Sequence, residues 1–278
     1  MLNHTFCHID GVGLKTEKKL WQAGITTWDK WRSPAPVKLS GSLRAEITKT
    51  LGSSLHALHS EPHFFSKRLS GSELWRIFPH YRNETVYLDI ETTGLDDFAE
   101  ITTIALYDGK KVFTYVNGEN LDDFIEDIFN YKVIVSYNGK SFDIPFLERY
   151  FRTKLPHAQI DLRYVLAGLG FKGGLKGCEK QLGINRGDLD GVDGYFAVLL
   201  WREYQKSGNR KLLETLLAYN IDDTVNLERL AVEAYNKNVL NTPFGSELLL
   251  PLPQPPPLPF SADPACIDKI RGHSDRSW

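Results

Sequence analysis

The chain has 278 residues, 42% hydrophobic and 24% charged, with a formal net charge of −2. That length suits one medium catalytic domain plus a smaller companion, and the composition is that of an ordinary globular protein. Three cysteines, Cys7, Cys178 and Cys266, odd in number and far apart, exclude a disulfide framework and a zinc ribbon.

No run approaches the ~18 apolar residues of a membrane span, and no basic stretch leads into an apolar one at the amino terminus. The sequence is therefore expected to be cytoplasmic and to have no membrane partner. The small net charge hides an asymmetry. Residues 1–83 carry 12 Lys+Arg against 6 Asp+Glu, which leaves 21 and 29 for the rest of the chain. A basic amino-terminal part suits a polyanion, and an acidic remainder suits metal ions.

In chain order, residues 1–65 read as short helices with turn punctuation. Leu20 and Trp21 close one apolar helical stripe, and Leu43, Ile47 and Leu51 mark another. Before the first helix stands Ile9-Asp10-Gly11-Val12-Gly13-Leu14-Lys15. It resembles a helix–hairpin–helix motif, in which the glycines let backbone N–H groups converge on an anion. Gly11, Gly13 and Lys15 are the expected nucleic-acid contacts, with Lys18 and Lys19 beside them. Trp21, Trp28 and Trp31 are open to base stacking or to core packing. Residues 66–83 form a connector.

Residues 84–240 alternate strands and helices. Strands are expected at Thr85–Ile90, Ile101–Tyr107, Lys111–Val116 and Lys132–Ser136, with a type I′ hairpin turn at Asp108-Gly109. Helices are expected at Leu121–Phe129, Phe142–Phe151, Leu162–Leu169, Leu175–Leu182, Tyr195–Tyr204 and Lys211–Tyr235. Asp161 reads as a helix N-cap, and the acid- and glycine-rich run Asp188–Asp193 as a loop. This is an α/β pattern beside a small all-α amino-terminal domain. Residues 241–278 form a tail whose run Leu250–Pro259 enforces polyproline II. It reads as an unstructured end, with docking of a protein partner as the alternative.

Three segments carry carboxylates. In Leu88-Asp89-Ile90-Glu91-Thr92-Thr93-Gly94, Asp89 and Glu91 are two apart on a strand and share a face. Burying that pair without a cation is costly, and a hard divalent cation removes the cost. In Asn138-Gly139-Lys140-Ser141-Phe142-Asp143, Asp143 lies in the first turn of a helix, where a carboxylate is favourable on its own account. The Asn138-Gly139 turn offers an amide to a sugar or phosphate. In Tyr219-Asn220-Ile221-Asp222-Asp223, Tyr219 and Asp223 are i and i+4 on one helix face. Asp222 competes for the metal role but lies one position off that face.

Together these segments resemble the three motifs of the DEDD (DnaQ-like) exonuclease superfamily, whose members have an RNase H-like fold. Tyr219 rather than a histidine resembles the DEDDy subclass, and residues 161–230 are similar to its little-characterised YprB-like branch. The resemblance covers roughly residues 84–235. It implies four metal-binding carboxylates, Asp89, Glu91, Asp143 and Asp223, holding two Mg2+ or Mn2+ ions about 3.5–4 Å apart. It further implies that Tyr219 positions a water. Thr92 and Asn138, with neighbouring Thr93 and Phe142, would meet the terminal nucleotide. The implied activity is 3′–5′ hydrolysis of single-stranded DNA or RNA. A non-catalytic nucleic-acid-binding protein on the same fold and a structure-specific endonuclease are the alternatives.

Overall fold

A computed structural model describes residues 1–32, 35–96, 98–187 and 193–274. The helices are α1 (Leu14–Gln22), α2 (Gly41–Ala57), α3 (Pro62–Ser66), α4 (Phe78–Tyr81), α5 (Phe124–Ile128), α6 (Asp143–Tyr150), α7 (Leu162–Gly168), α8 (Gly174–Gln181), α9 (Gly194–Ser207), α10 (Arg210–Val239) and α11 (Pro264–Ser274). The strands are β1 (Thr85–Thr92), β2 (Ile101–Tyr107), β3 (Val112–Val116), β4 (Val133–Ser136) and β5 (Ala158–Asp161).

The strands form one mixed sheet in the order β3-β2-β1-β4-β5. β1 pairs antiparallel with β2 and parallel with β4, and β5 extends the parallel side from β4. The fold is the RNase H-like mixed sheet with flanking helices that the motifs led us to expect, with a helical region ahead of it. β5 was not foreseen. Its four residues, Ala158-Gln159-Ile160-Asp161, are too few and too mixed to give a period-2 signal, and they become a strand by pairing with β4.

Alternation along β1 divides the core. Val86, Leu88 and Ile90 pack on one face with Phe124, Ile144 and Leu147 of α5 and α6. Tyr87 faces the other way, into a cluster that includes Tyr235 of α10 and Trp21 and Trp28 from the amino-terminal region. Trp21 and Trp28 are buried and donate their indole N–H groups to the carbonyls of His4 and Thr5, so they build the core and do not offer stacking faces. Each fully buried side chain of this size contributes on the order of 1.5–3 kcal/mol.

Local differences from the sequence reading have physical causes. At the β2–β3 hairpin only Gly109 has positive φ, +86°, whereas a type I′ turn needs it at both central residues. Asp108 holds the turn instead, its Oδ1 accepting from the backbone N–H groups of Lys110 and Lys111. The single helix expected over 121–129 is a 3-10 turn, Leu121–Asp123, leading into α5. Ahead of the Gly11-Val12-Gly13 turn, the first element is a 3-10 turn, Leu2–His4, so an α-helix follows that turn but none precedes it. The tail is not an unstructured end. Asn236 of α10 bonds both backbone groups of Leu250, and α11 buries Cys266, Ile267 and Ile270 beside α9 and α10. Residues 188–192 of the run read as a loop lie outside the described residues. Asp193 caps α9 by accepting from the Phe196 N–H at 2.9 Å.

Candidate active site

β1 and α10 place the principal side chains. Val86, Leu88 and Ile90 are committed to one face of β1, so Asp89 and Glu91 emerge on the other, toward α10. The register of β1 on β2 shifts between Glu91 and Thr92, and this bulge carries Thr92 and Thr93 into the turn that follows. Thr92 Oγ1 donates to the Gly94 carbonyl at 2.6 Å and closes that turn. On α10, Tyr219 and Asp223 face β1 from successive turns, as the i, i+4 spacing predicts.

Ligand oxygens of Asp89, Glu91 and Asp223 all lie within 4.8 Å of one another. Asp143 enters from the start of α6, and its Oδ1 accepts from the Ile90 N–H at 3.2 Å. All four carboxylates line one cleft of ≈ 460 Å³ with Tyr219, Thr92, Thr93, Asn138 and Phe142. Nine of the expected residues thus meet in one place. Gly11, Gly13 and Lys15 do not line this cleft.

The turn before α6 is held from below. Asn138 adopts φ +65°, which asparagine tolerates, and its N–H donates to Asp161 Oδ1 at 2.8 Å. The same oxygen accepts from the Arg163 N–H, so Asp161 caps α7 and anchors the turn. Gly139 has no room for a side chain, because a Cβ there would lie 2.6 Å from Ser136 Cβ.

Crowding sets the protonation of the cluster. Burial, then the charges of Asp143, Glu91 and Asp223, push the Asp89 carboxyl well above its usual range. Burial and the Asp223 and Asp143 charges do the same to Glu91. Burial raises Asp143 to about 7. Asp223 is raised by burial but pulled back by Arg186. A cluster that resists full ionisation alone is stabilised in its charged form by a cation.

The donors fit a hard divalent ion. They are all carboxylate oxygens, and bonds of about 2.0–2.6 Å let oxygens up to about 5 Å apart share one ion. Asp89, Glu91 and Asp223 could hold such an ion, with Asp143 supplying a fourth carboxylate in the same cleft.

The model of the RNase_H superfamily matches residues 86–235, more than half of the chain. The chain belongs to the RNase_H superfamily. Among curated proteins no match was found. Among solved structures the chain is similar to the family B DNA polymerase of the hyperthermophilic archaeon Pyrobaculum calidifontis. The identity is 17% and the TM-score 0.42, over 56% of this chain and 24% of that polymerase chain. In this RNase H superfamily member the matched span contains all four carboxylates and Tyr219.

Several residues at the site were not assigned a role from the sequence. Asn220 donates to Asp89 Oδ2 at 2.7 Å and accepts from Thr103 Oγ1 at 3.1 Å, tying β1 and β2 to α10. Its place three residues before Asp223, on the same helix face, was the available clue. Arg186 follows α8 and pairs with Asp223 and with Glu179. Lys176 sits 5.2 Å from the centre of the Tyr219 ring. Nothing in the pattern around Arg186 or Lys176 marks either for this role. No helix among the described residues is long and apolar enough to cross a membrane.

Proposed function

We propose that this chain is a metal-dependent nuclease that hydrolyses phosphodiester bonds from the 3′ end of single-stranded DNA or RNA. The observation that carries the reading is the convergence of Asp89, Glu91 and Asp223 oxygens within 4.8 Å, in a cleft that also receives Asp143. The proposed ligands are these four carboxylates, in the DEDDy arrangement, and the proposed ions are two of Mg2+ or Mn2+. When bound, such ions lower the pKa of an attacking water and stabilise charge on the departing oxygen.

The chain's own residues supply the rest. Tyr219, buried against Asp223, orients the water through its hydroxyl. Burial and the Asp223 charge hold that phenol far above its ordinary pKa, so it stays protonated and donates. Thr92, Thr93 and Asn138 offer polar groups to the terminal sugar and phosphate, and the Phe142 ring offers an apolar face. Gly11, Gly13 and Lys15, outside the cleft, serve as an auxiliary contact for the nucleic-acid backbone at the start of α1.

The test is a metal-rescued cleavage assay on 5′-labelled single-stranded DNA, single-stranded RNA and a circular control, with EDTA, Mg2+ or Mn2+. A ladder of shortening products that needs metal and disappears in Asp89→Ala is the expected result. Cleavage of the circle would make the enzyme an endonuclease. Binding without cleavage of any substrate would leave a nucleic-acid-binding protein and end the enzymatic reading.

A further inference from the structure

Two walls of the cleft are the turn after β1, from Thr92 to Leu95, and α9. α9 buries Phe196, Ala197, Leu200 and Trp201 in the cluster it shares with α10. Its opposite stripe, Tyr195, Val198 and Arg202 at i, i+3 and i+7, therefore faces the cleft. Tyr195 is 64% exposed. Arg202 is exposed, has no ion-pair partner among the described residues, and is the one cation among the described residues lining the cleft.

That placement matters because the same lining holds Asp89, Glu91, Asp143 and Asp223. A polyanion is repelled by this floor, and metal ions would relieve the repulsion only where they sit. A strand reaching the carboxylates needs an attractive group farther along its path. A guanidinium with no ion-pair partner among the described residues suits a phosphate, which it can bind through two parallel N–H donors. An exposed aromatic ring about 10 Å away along the helix axis suits a base. Alternation of an anion-binding group and a stacking face matches the backbone and bases of an unpaired strand.

We infer that the exposed stripe of α9 is the track by which single-stranded nucleic acid enters the cleft, with Arg202 on a phosphodiester and Tyr195 stacked on a base. This inference rests on the nuclease reading and names how its substrate is held.

The full-length protein tests it, with Ca2+ in place of Mg2+ as a hard, oxygen-ligated ion. Fluorescein-labelled oligothymidylate and oligouridylate are titrated by anisotropy over roughly 50–200 mM KCl. At least one strand binds. Arg202→Gln flattens the slope of log K against log salt by about 0.7, the share of one single-strand phosphate contact. Tyr195→Ala weakens binding about fivefold or more without changing that slope. Lys110→Gln, in the distant β2–β3 turn, changes neither. All three side chains are exposed, so thermal unfolding stays at the wild-type midpoint. The track is overturned if the wild type binds neither strand, if Arg202→Gln keeps the slope, or if Lys110→Gln flattens it equally. A parallel gel with Mg2+ keeps the two readings apart. Strand shortening with unaltered slopes removes the α9 track alone. Altered slopes without shortening remove the nuclease reading and leave α9 as a binding surface.

Discussion

Arg186 reaches Asp223 across 37 residues of sequence and bonds its Oδ1, while its other terminal nitrogen bonds Glu179 at 2.6 Å. Arg186 and Glu179 are both almost fully inaccessible to solvent. Asn226 closes the far side by donating to the free oxygen of Glu179 at 3.0 Å. Asp223 is thereby tied through Arg186 to Glu179 of α8.

The first prediction concerns this contact. Groups that orient a metal-ligating carboxylate are worth about 10–100-fold in metal affinity or activity. Arg186→Gln removes the counter-charge that favours the ionised form of buried Asp223, so Mn2+ affinity measured by calorimetry should fall by about that factor. Arg186→Lys keeps the charge without the fork and should recover part of the loss. Unchanged or tighter Mn2+ binding in Arg186→Gln would show that Arg186 merely competes with the ion.

Asp222 and Asp223 are adjacent and should behave oppositely. Asp223 faces Asp89 and Glu91, whereas Asp222 accepts from Asn226 and lies 3.7 Å from Arg186 on the flank of α10. Asp223→Asn is expected to lower metal-dependent strand shortening by about a hundredfold or more, since a bound ion supplies several kcal/mol of stabilisation. Asp222→Asn should stay within about tenfold of wild type. Equal losses in a gel-based rate comparison would contradict the assignment of Asp223 as the ligand.

The legibility of this site follows from how its residues are spaced. Asp89 and Glu91, like Tyr219 and Asp223, declare themselves because strand and helix periods put close neighbours in sequence on one face. Asp143 was ambiguous alone, since a carboxylate suits the start of any helix. Arg186 was invisible, because its partners Glu179 and Asp223 come from two different helices and only tertiary packing joins them. β5 and the folded tail were missed for the same reason. Ala158–Asp161 becomes a strand by pairing with β4, and Leu250 is fixed by Asn236 of α10 and by packing against the core.

A third prediction tests an ion pair that joins α1 to the connector. Arg76, just ahead of α4, pairs with Glu17 of α1 at 2.9 Å, with both side chains at most 3% exposed. Glu17 also accepts from the backbone N–H groups of Phe6 and Cys7. Removing one partner strands a buried charge, so Arg76→Met should cost about 3–5 kcal/mol in urea unfolding. Arg76→Met combined with Glu17→Gln should cost less than Arg76→Met alone, because the more deeply buried of the two carboxylates that Arg76 pairs with, Glu17 rather than Glu73, no longer carries a charge. Strict additivity of the two changes in a double-mutant cycle would mean that the pair does not couple.

The last prediction is a pH dependence. His8 is 1% exposed, packs against the rings of Trp28 and Phe65, and shares a hydrogen bond of 2.8 Å with Ser54. Burial, reinforced by the charges of Arg68 and Arg76, pushes its pKa down from 6.5 to about 3. The folded state therefore keeps His8 neutral where the unfolded chain takes up a proton. The sign follows from linkage: stability is full above pH 6.5 and is lost as pH falls from there toward 3. Between about pH 7 and pH 5 the loss from this one group is about 2 kcal/mol. His8→Gln retains a polar partner for Ser54 but cannot titrate. Its unfolding free energy in urea should start lower at neutral pH and then fall by about 2 kcal/mol less than the wild type over the same interval. Parallel pH profiles for the two proteins would mean that acid sensitivity arises elsewhere in the fold.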